Sequence, residues 1–145
     1  MLVRQFVAVI CRFPWLSLPH AFVMARFATA GFFLAHAVVR ILSPASIPSF
    51  SQFMASRGFP YPTAVVWAIT ITELIASTML ILHWQVRWAA AALILIVGEG
   101  IILIHRHLGW FVGEHGTGGS EYSVALLALL LLISVEDAST GQTGG

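Results

Sequence analysis

The sequence predicts an all-α fold: a bundle of four transmembrane helices with a short interfacial amphipathic helix in the first loop. Three observations carry this. Hydrophobic residues make up 59% of the 145 residues and charged residues 9%, whereas a soluble domain averages roughly 25% charged. A chain this short has too much surface to hide so much apolar side chain from water. Four segments are apolar over much of the roughly 20 residues that a helix needs to cross a hydrocarbon layer about 30 Å thick. Between the first two, a proline-bounded loop places its large apolar residues at helical spacing. The formal net charge of +1 gives no reason to expect a polyanionic partner, so nucleic acid is excluded.

The first span runs from about Pro19 to Leu42. Ser17 can cap it, and a proline is tolerated in a first helical turn. The first loop holds Pro44, Pro48, Pro60 and Pro62. Within it Ile47, Phe50, Phe53 and Met54 form one apolar face. Ser49, Ser51, Gln52 and Arg57 are polar, and Gly58 is a natural stop. The second span runs from about Pro62 to Leu82 and the third from about Val86 to Ile104. The connection His83-Trp84-Gln85 is so short that these two must form an antiparallel hairpin. Trp84 and Trp88 at one end, with Trp110 and Phe111 beyond the other, make the aromatic pattern of two membrane interfaces. The fourth span runs from about Glu121 to Val135. Residues 1–18 read as a juxtamembrane segment, 19–137 as the membrane domain, and 138–145 as a small, polar, disordered tail.

All seven cationic residues are arginine, and the single cysteine is Cys11. One thiol forms no internal disulfide and no Cys-x-x-Cys pair. The N-terminus reads as retained, because Arg12, Pro14 and Pro19 interrupt any signal-peptide core. Arg4, Arg12 and Arg87 fall on one side, and Arg40, Arg57 and Arg106 on the other. Charge counting therefore casts no vote on orientation. His105, His107, Glu114 and His115 do not make a metal site, because histidines two apart on a helix point to different sides. His36 with His105 is the one histidine pair that could hold haem, and it is a weak one. Gly113 to Gly119 has phosphate-loop glycine content without a preceding strand, so the dinucleotide reading fails.

Arg26, His36, Glu73 and Glu99 fall inside the spans. Ionisable groups there are costly in hydrocarbon and should face the bundle interior and pair. The side bearing the first and third loops is the loop side. At about 1.5 Å per residue, Glu73 lies about 18 Å and Arg26 about 24 Å below it, and His36 and Glu99 about 8–10 Å below it. This predicts a deep pair, Arg26 with Glu73, and a shallow pair, His36 with Glu99. Arg40, His105, Arg106 and Glu121 crowd the loop-side mouth. Thr70, Glu73 and Ser77 form a polar stripe, and Gly98 and Gly100 allow close helix approach. Arg26, His36, Arg40, Glu73, Glu99, His105 and Glu121 are thus the candidate lining of a polar pocket. The competing reading is that these pairs only lock the helices together.

The stretch Arg26-Phe27-Ala28-Thr29-Ala30-Gly31-Phe32-Phe33-Leu34 resembles the Arg…Gly-x-x-Phe opening of DoxX-family membrane proteins. Arg40 falls where that family usually has lysine. Phe50 to Pro60, ending Gly58-Phe59-Pro60, is similar to its Phe…Gly-x-Pro loop, and Glu73 falls on the Glu of its second span. His107, Gly109, Trp110 and Phe111, followed by Gly118-Gly119-Ser120-Glu121-Tyr122, resemble its His…Gly-x-Phe…Gly-Gly-x-Glu-Tyr segment. The similarity covers about residues 22 to 137. It departs at Ala76-Ser77 and at the reduced ending Ser134-Val135-Glu136-Asp137.

The resemblance implies a four-helix bundle in the cell membrane with both ends cytoplasmic. It also implies association with quinone-linked membrane oxidoreductases. The expected function is an accessory or quinone-binding subunit, with no intrinsic cofactor, a bound quinone and a redox protein partner. The alternative is a non-enzymatic scaffold or small transporter. The lipid bilayer is the expected surrounding in either case, and a homo-oligomer is compatible with both.

Overall fold

A computed structural model of the chain describes residues 16–104, 108–111 and 119–142. Five helices follow one another: α1 (Leu18–Leu42), α2 (Ser46–Ser56), α3 (Pro62–Ile81), α4 (Val86–Leu103) and α5 (Glu121–Gln142). Their limits follow local chemistry. Pro19 sits in the first turn of α1 and Pro62 in that of α3, where the missing N–H costs no hydrogen bond. Ser17 holds the cap position of α1, but its hydroxyl bonds the His20 imidazole at 2.5 Å rather than a backbone N–H. Gly58, at φ +84°, ends α2 in the left-handed region. The tight α3–α4 turn places His83 and Gln85 at positive φ.

Among the described residues α1, α3 and α4 are long and apolar enough to cross a membrane. The sequence predicts four spans; α5 is not in that group. It carries Glu121 at its start and Glu136 and Asp137 further on, and it runs to Gln142, beyond Val135 and into the segment read as tail. The helices still close a ring. α1 packs on α3 and α5, and α4 packs on α3 and α5, while α2 lies on α3 and α1.

The core holds Ala30, Phe33, Ala76, Leu80, Ala89, Ala90, Leu93, Leu130 and Ile133. Alanine recurs because small residues let membrane helices approach closely, where no hydrophobic force separates protein from lipid. The large apolar residues Phe27, Phe32, Ile71, Ile75, Leu95 and Leu131 point outward, as lipid-facing side chains do. Trp84, Trp88, Trp110 and Phe111 are exposed at the two ends. Gly98 does not serve the close approach its type suggests: a Cβ there would meet nothing within 4 Å. The close approach falls instead at Gly119, whose Cβ would overlap the Trp110 and Phe111 carbonyls. There the Ser120 N–H donates to the Gly109 carbonyl and the Glu121 N–H to that of Trp110, each at 3.1 Å, tying residues 109–110 to the start of α5.

Candidate functional site

α1 and α4 rise toward the loop side, and α3 and α5 descend to the side of the α3–α4 turn. This fixes where side chains reach, because each Cα–Cβ bond tilts toward its own helix N-terminus. Arg40, near the top of α1, reaches down. Glu73, midway along α3, reaches up. They meet: Arg40 Nη1 donates to Glu73 Oε2 at 2.5 Å and Nη2 to Oε1 at 3.4 Å. The same Nη1 donates to Thr70 Oγ1 at 2.9 Å, and the Thr70 hydroxyl donates to the Val66 carbonyl at 2.8 Å. Both charged side chains are buried or nearly so, 13% and 5% exposed.

The deep pair expected from depth alone is therefore corrected. Arg26 reaches down, away from Glu73, and meets Glu136 of α5 at 3.7 Å. Beside it, His83 of the turn lies 3.6 Å from Asp137. The ending Ser134-Val135-Glu136-Asp137, read in the sequence only as a reduced motif, supplies the acidic partners on the turn side. The signal was available, since opposed Cβ directions favour Arg40 over Arg26 as the partner of Glu73.

Arg40 and Glu73 both line a cavity of about 300 Å³. Apolar residues from all five helices wall it, among them Phe33, Phe53, Met54, Ile69, Val97 and Leu126. Its polar lining includes His36, Arg40, Glu73, Glu99 and Ser123. His36 and Glu99 thus share one cavity, as their equal depth predicts, although both are exposed at its rim rather than buried. Gly100 also lines it and leaves it room. A second, more open groove of about 520 Å³ runs along α1 and α2. It shares His36, Arg40 and Phe50 with the cavity.

The apolar face foreseen for α2 is turned inward. Met54 is buried, and Ile47, Phe50 and Phe53 are half-buried. The Arg40 guanidinium lies 5.4 Å from the Phe50 ring centre, Phe50 stacks on Phe53 at 6.3 Å, and Arg57 lies 5.1 Å from the Phe53 ring. These contacts clip α2 over the cavity. The role of Phe50 and Phe53 as ring partners of arginine was not foreseen.

Of the seven candidate residues, the structure gathers His36, Arg40, Glu73 and Glu99 around one cavity. Arg26 belongs to the turn side. Glu121 starts α5 and is half-buried outside the cavity lining. His105 lies outside the described residues, as do Arg106, His107 and the Gly113–Gly118 stretch.

These features define a small multi-pass membrane protein with an apolar cavity and an ion pair in its wall. The family model for DoxX matches residues 21–106, more than half of the chain, and the chain belongs to the DoxX family. No match was found among curated proteins or among solved structures.

Proposed function

We propose that the loop-side cavity binds a quinone head group and that the protein is an accessory or quinone-binding subunit of a membrane oxidoreductase system. One observation carries this reading. An apolar cavity of about 300 Å³, at the lower end of small-molecule sites, opens at a rim formed by an imidazole and a carboxylate. Among the described residues neither His36 nor Glu99 makes an ion pair or a hydrogen bond, and both are free to meet a ligand.

The donor set fits a quinone. An imidazole N–H donates to a quinone carbonyl, and a carboxylate accepts from the hydroxyl of the reduced form. When bound, the quinone supplies the two-electron, two-proton redox chemistry that these side chains do not have. His36 and Glu99 orient the ring and hold or release protons at its oxygens. Arg40 fixes Glu73 in the cavity wall, and Phe33, Phe53 and Met54 exclude water. The groove along Phe32, Ala35 and Val39 receives the apolar tail. The electrons come from a redox partner protein.

The same reading takes residues 19–137 as one four-span domain in the cell membrane. α5 is its fourth span, and both termini are cytoplasmic. Cysteine labelling at Ser46 and Gln85, in a Cys11→Ser background, should find them on opposite sides. Labelling from one side would sink the topology.

Quinone extracted from purified protein tests the function directly. Wild type should retain quinone, and His36→Leu and Glu99→Leu should lose it while staying folded. Retention at the wild-type ratio in both variants, or none in wild type, would favour a scaffold or small transporter. That second reading draws on the pairing of Arg26 and Arg40 with carboxylates, which already gives both charges a structural use.

A further inference from the structure

The buried polar side chains of the three long apolar helices fall on two of them. α1 contributes Arg26 and Thr29, and α3 contributes Thr70, Glu73 and Ser77. The buried positions of α4 are Val86, Ala89, Ala90, Leu93 and Val97, all apolar. α5 adds Ser120 and Ser123, both at its loop-side start. α1 and α3 pack directly on one another; Arg40 reaches Thr70 and Glu73 across that contact, and Arg26, lower on α1, reaches Glu136 of α5. Counted from the loop-side helix ends, Arg40, Thr70, Glu73, Thr29, Ser77 and Arg26 fall at depths of about 3, 12, 17, 20, 23 and 24 Å. The line crosses most of a hydrocarbon layer.

Its lower half is not built as a structural zipper would be. A helical Ser or Thr that only packs can bond back to a carbonyl of the preceding turn, as Thr70 and Thr78 do. Thr29 and Ser77 are fully buried, and among the described residues neither hydroxyl has a hydrogen-bond partner; nor does Arg26 Nε. Stranding a buried polar group costs about 1–3 kcal/mol, and an apolar side chain of the same size would avoid it. The Thr29 and Ser77 hydroxyls lie at nearly one depth, about one helical turn below Glu73, and the Arg26 guanidinium lies beneath them. Buried polar groups of this kind are those that bind water inside proteins.

We propose that the α1–α3 seam is a proton path joining the turn-side surface to Glu73, and through it to the loop-side cavity. At the turn side, Arg26 lies 3.7 Å from Glu136, whose side chain is 18% exposed, with His83 and Asp137 beside it. A proton entering there passes between hydroxyl and water oxygens at Ser77 and Thr29. Each transfer forms one O–H bond as another breaks. The proton then binds a Glu73 oxygen and leaves into the cavity toward His36 and Glu99 at its rim. No electron moves, so no oxidant or reductant is needed. The path does not depend on the quinone reading; it would serve a quinone if one binds.

The test uses the full chain in sealed liposomes enclosing a pH-sensitive dye, with a potassium diffusion potential set by valinomycin. Wild type should admit protons faster than protein-free vesicles. Thr29→Val with Ser77→Ala should return the rate to that of protein-free vesicles. The double variant should stay folded, with a melting temperature close to that of wild type. Quinone retention, read on the same preparations, should not change, since neither residue lines the cavity. Glu73→Gln should also abolish the flux. Wild-type flux equal to that of empty vesicles, or a double variant as fast as wild type, would overturn the proposal.

Discussion

Arg40, near the loop-side end of α1, and Glu73, midway along the antiparallel α3, reach each other. Arg40 lies two residues from the end of α1 and Glu73 eleven residues into α3, yet the guanidinium donates to both carboxylate oxygens. Both residues line the cavity, so the same contact that locks α1 to α3 also shapes the site.

Breaking that pair should be costly. Removing one partner of a buried ion pair leaves the other charge uncompensated, at about 3–5 kcal/mol. Arg40→Met and Glu73→Gln should each lower the melting temperature in detergent, and the double variant should recover part of the loss. Arg26→Met with Glu73→Gln should instead be additive, since Arg26 pairs with Glu136. A large coupling between Arg26 and Glu73 would contradict the observed pairing.

That contrast shows what a linear reading can reach. Helix limits were legible, because proline, glycine and apolar run lengths act locally: α3 and α4 begin at Pro62 and Val86 as read. The shared depth of His36 and Glu99 was legible too, since rise per residue is fixed. The partner of Arg26 was not. Depth gives a Cα height but not the direction of a long side chain, and Glu136 lay beyond the assumed end of the fourth span at Val135. The glycines failed for a related reason. Gly98 lies in an apolar span, where close approach is expected, and Gly119 in a glycine-rich loop; only the tertiary path of residues 109–111 shows that the close approach falls at Gly119.

The two glycines therefore make a matched test. Gly119→Ala drives a methyl into the Trp110 and Phe111 carbonyls, where backbone must move; overpacking of this kind costs about 1–3 kcal/mol. Gly98→Ala, mid-helix in α4 with open space around it, should be neutral or stabilising by up to about 1 kcal/mol. Thermal unfolding in detergent should separate the pair in opposite directions. A stable Gly119→Ala protein would mean that the loop–α5 clip is not required.

Filling the cavity should act differently from removing its polar groups. Gly100 lines it on α4, so Gly100→Leu adds a branched side chain there and replaces a poor helix former. The variant should fold at least as well as wild type and carry no quinone, with His36 and Glu99 intact. Full retention of quinone in Gly100→Leu would place the ligand elsewhere on the protein.

The last expectation concerns α2 as a cover. Its hold on the bundle is narrow: Met54 and Ser51 are its buried residues, and Phe50 joins the Arg40 guanidinium on one side and Phe53 on the other. Phe50→Ala removes a half-buried ring and a cation–π contact, together about 2 kcal/mol. That loss is local, because the helix can lift without unfolding the long helices beneath it. Hydrogen exchange should therefore quicken across residues 46–56 while α3 and α4 keep their protection, and the global melting temperature should move little. Arg57→Ala removes only the outer contact, with Phe53, and should give a smaller version of the same pattern. If α2 covers the ligand, bound quinone should also leave Phe50→Ala faster than wild type. Exchange that quickens equally in every helix would show that α2 is part of the cooperative core and not a separately opening cover.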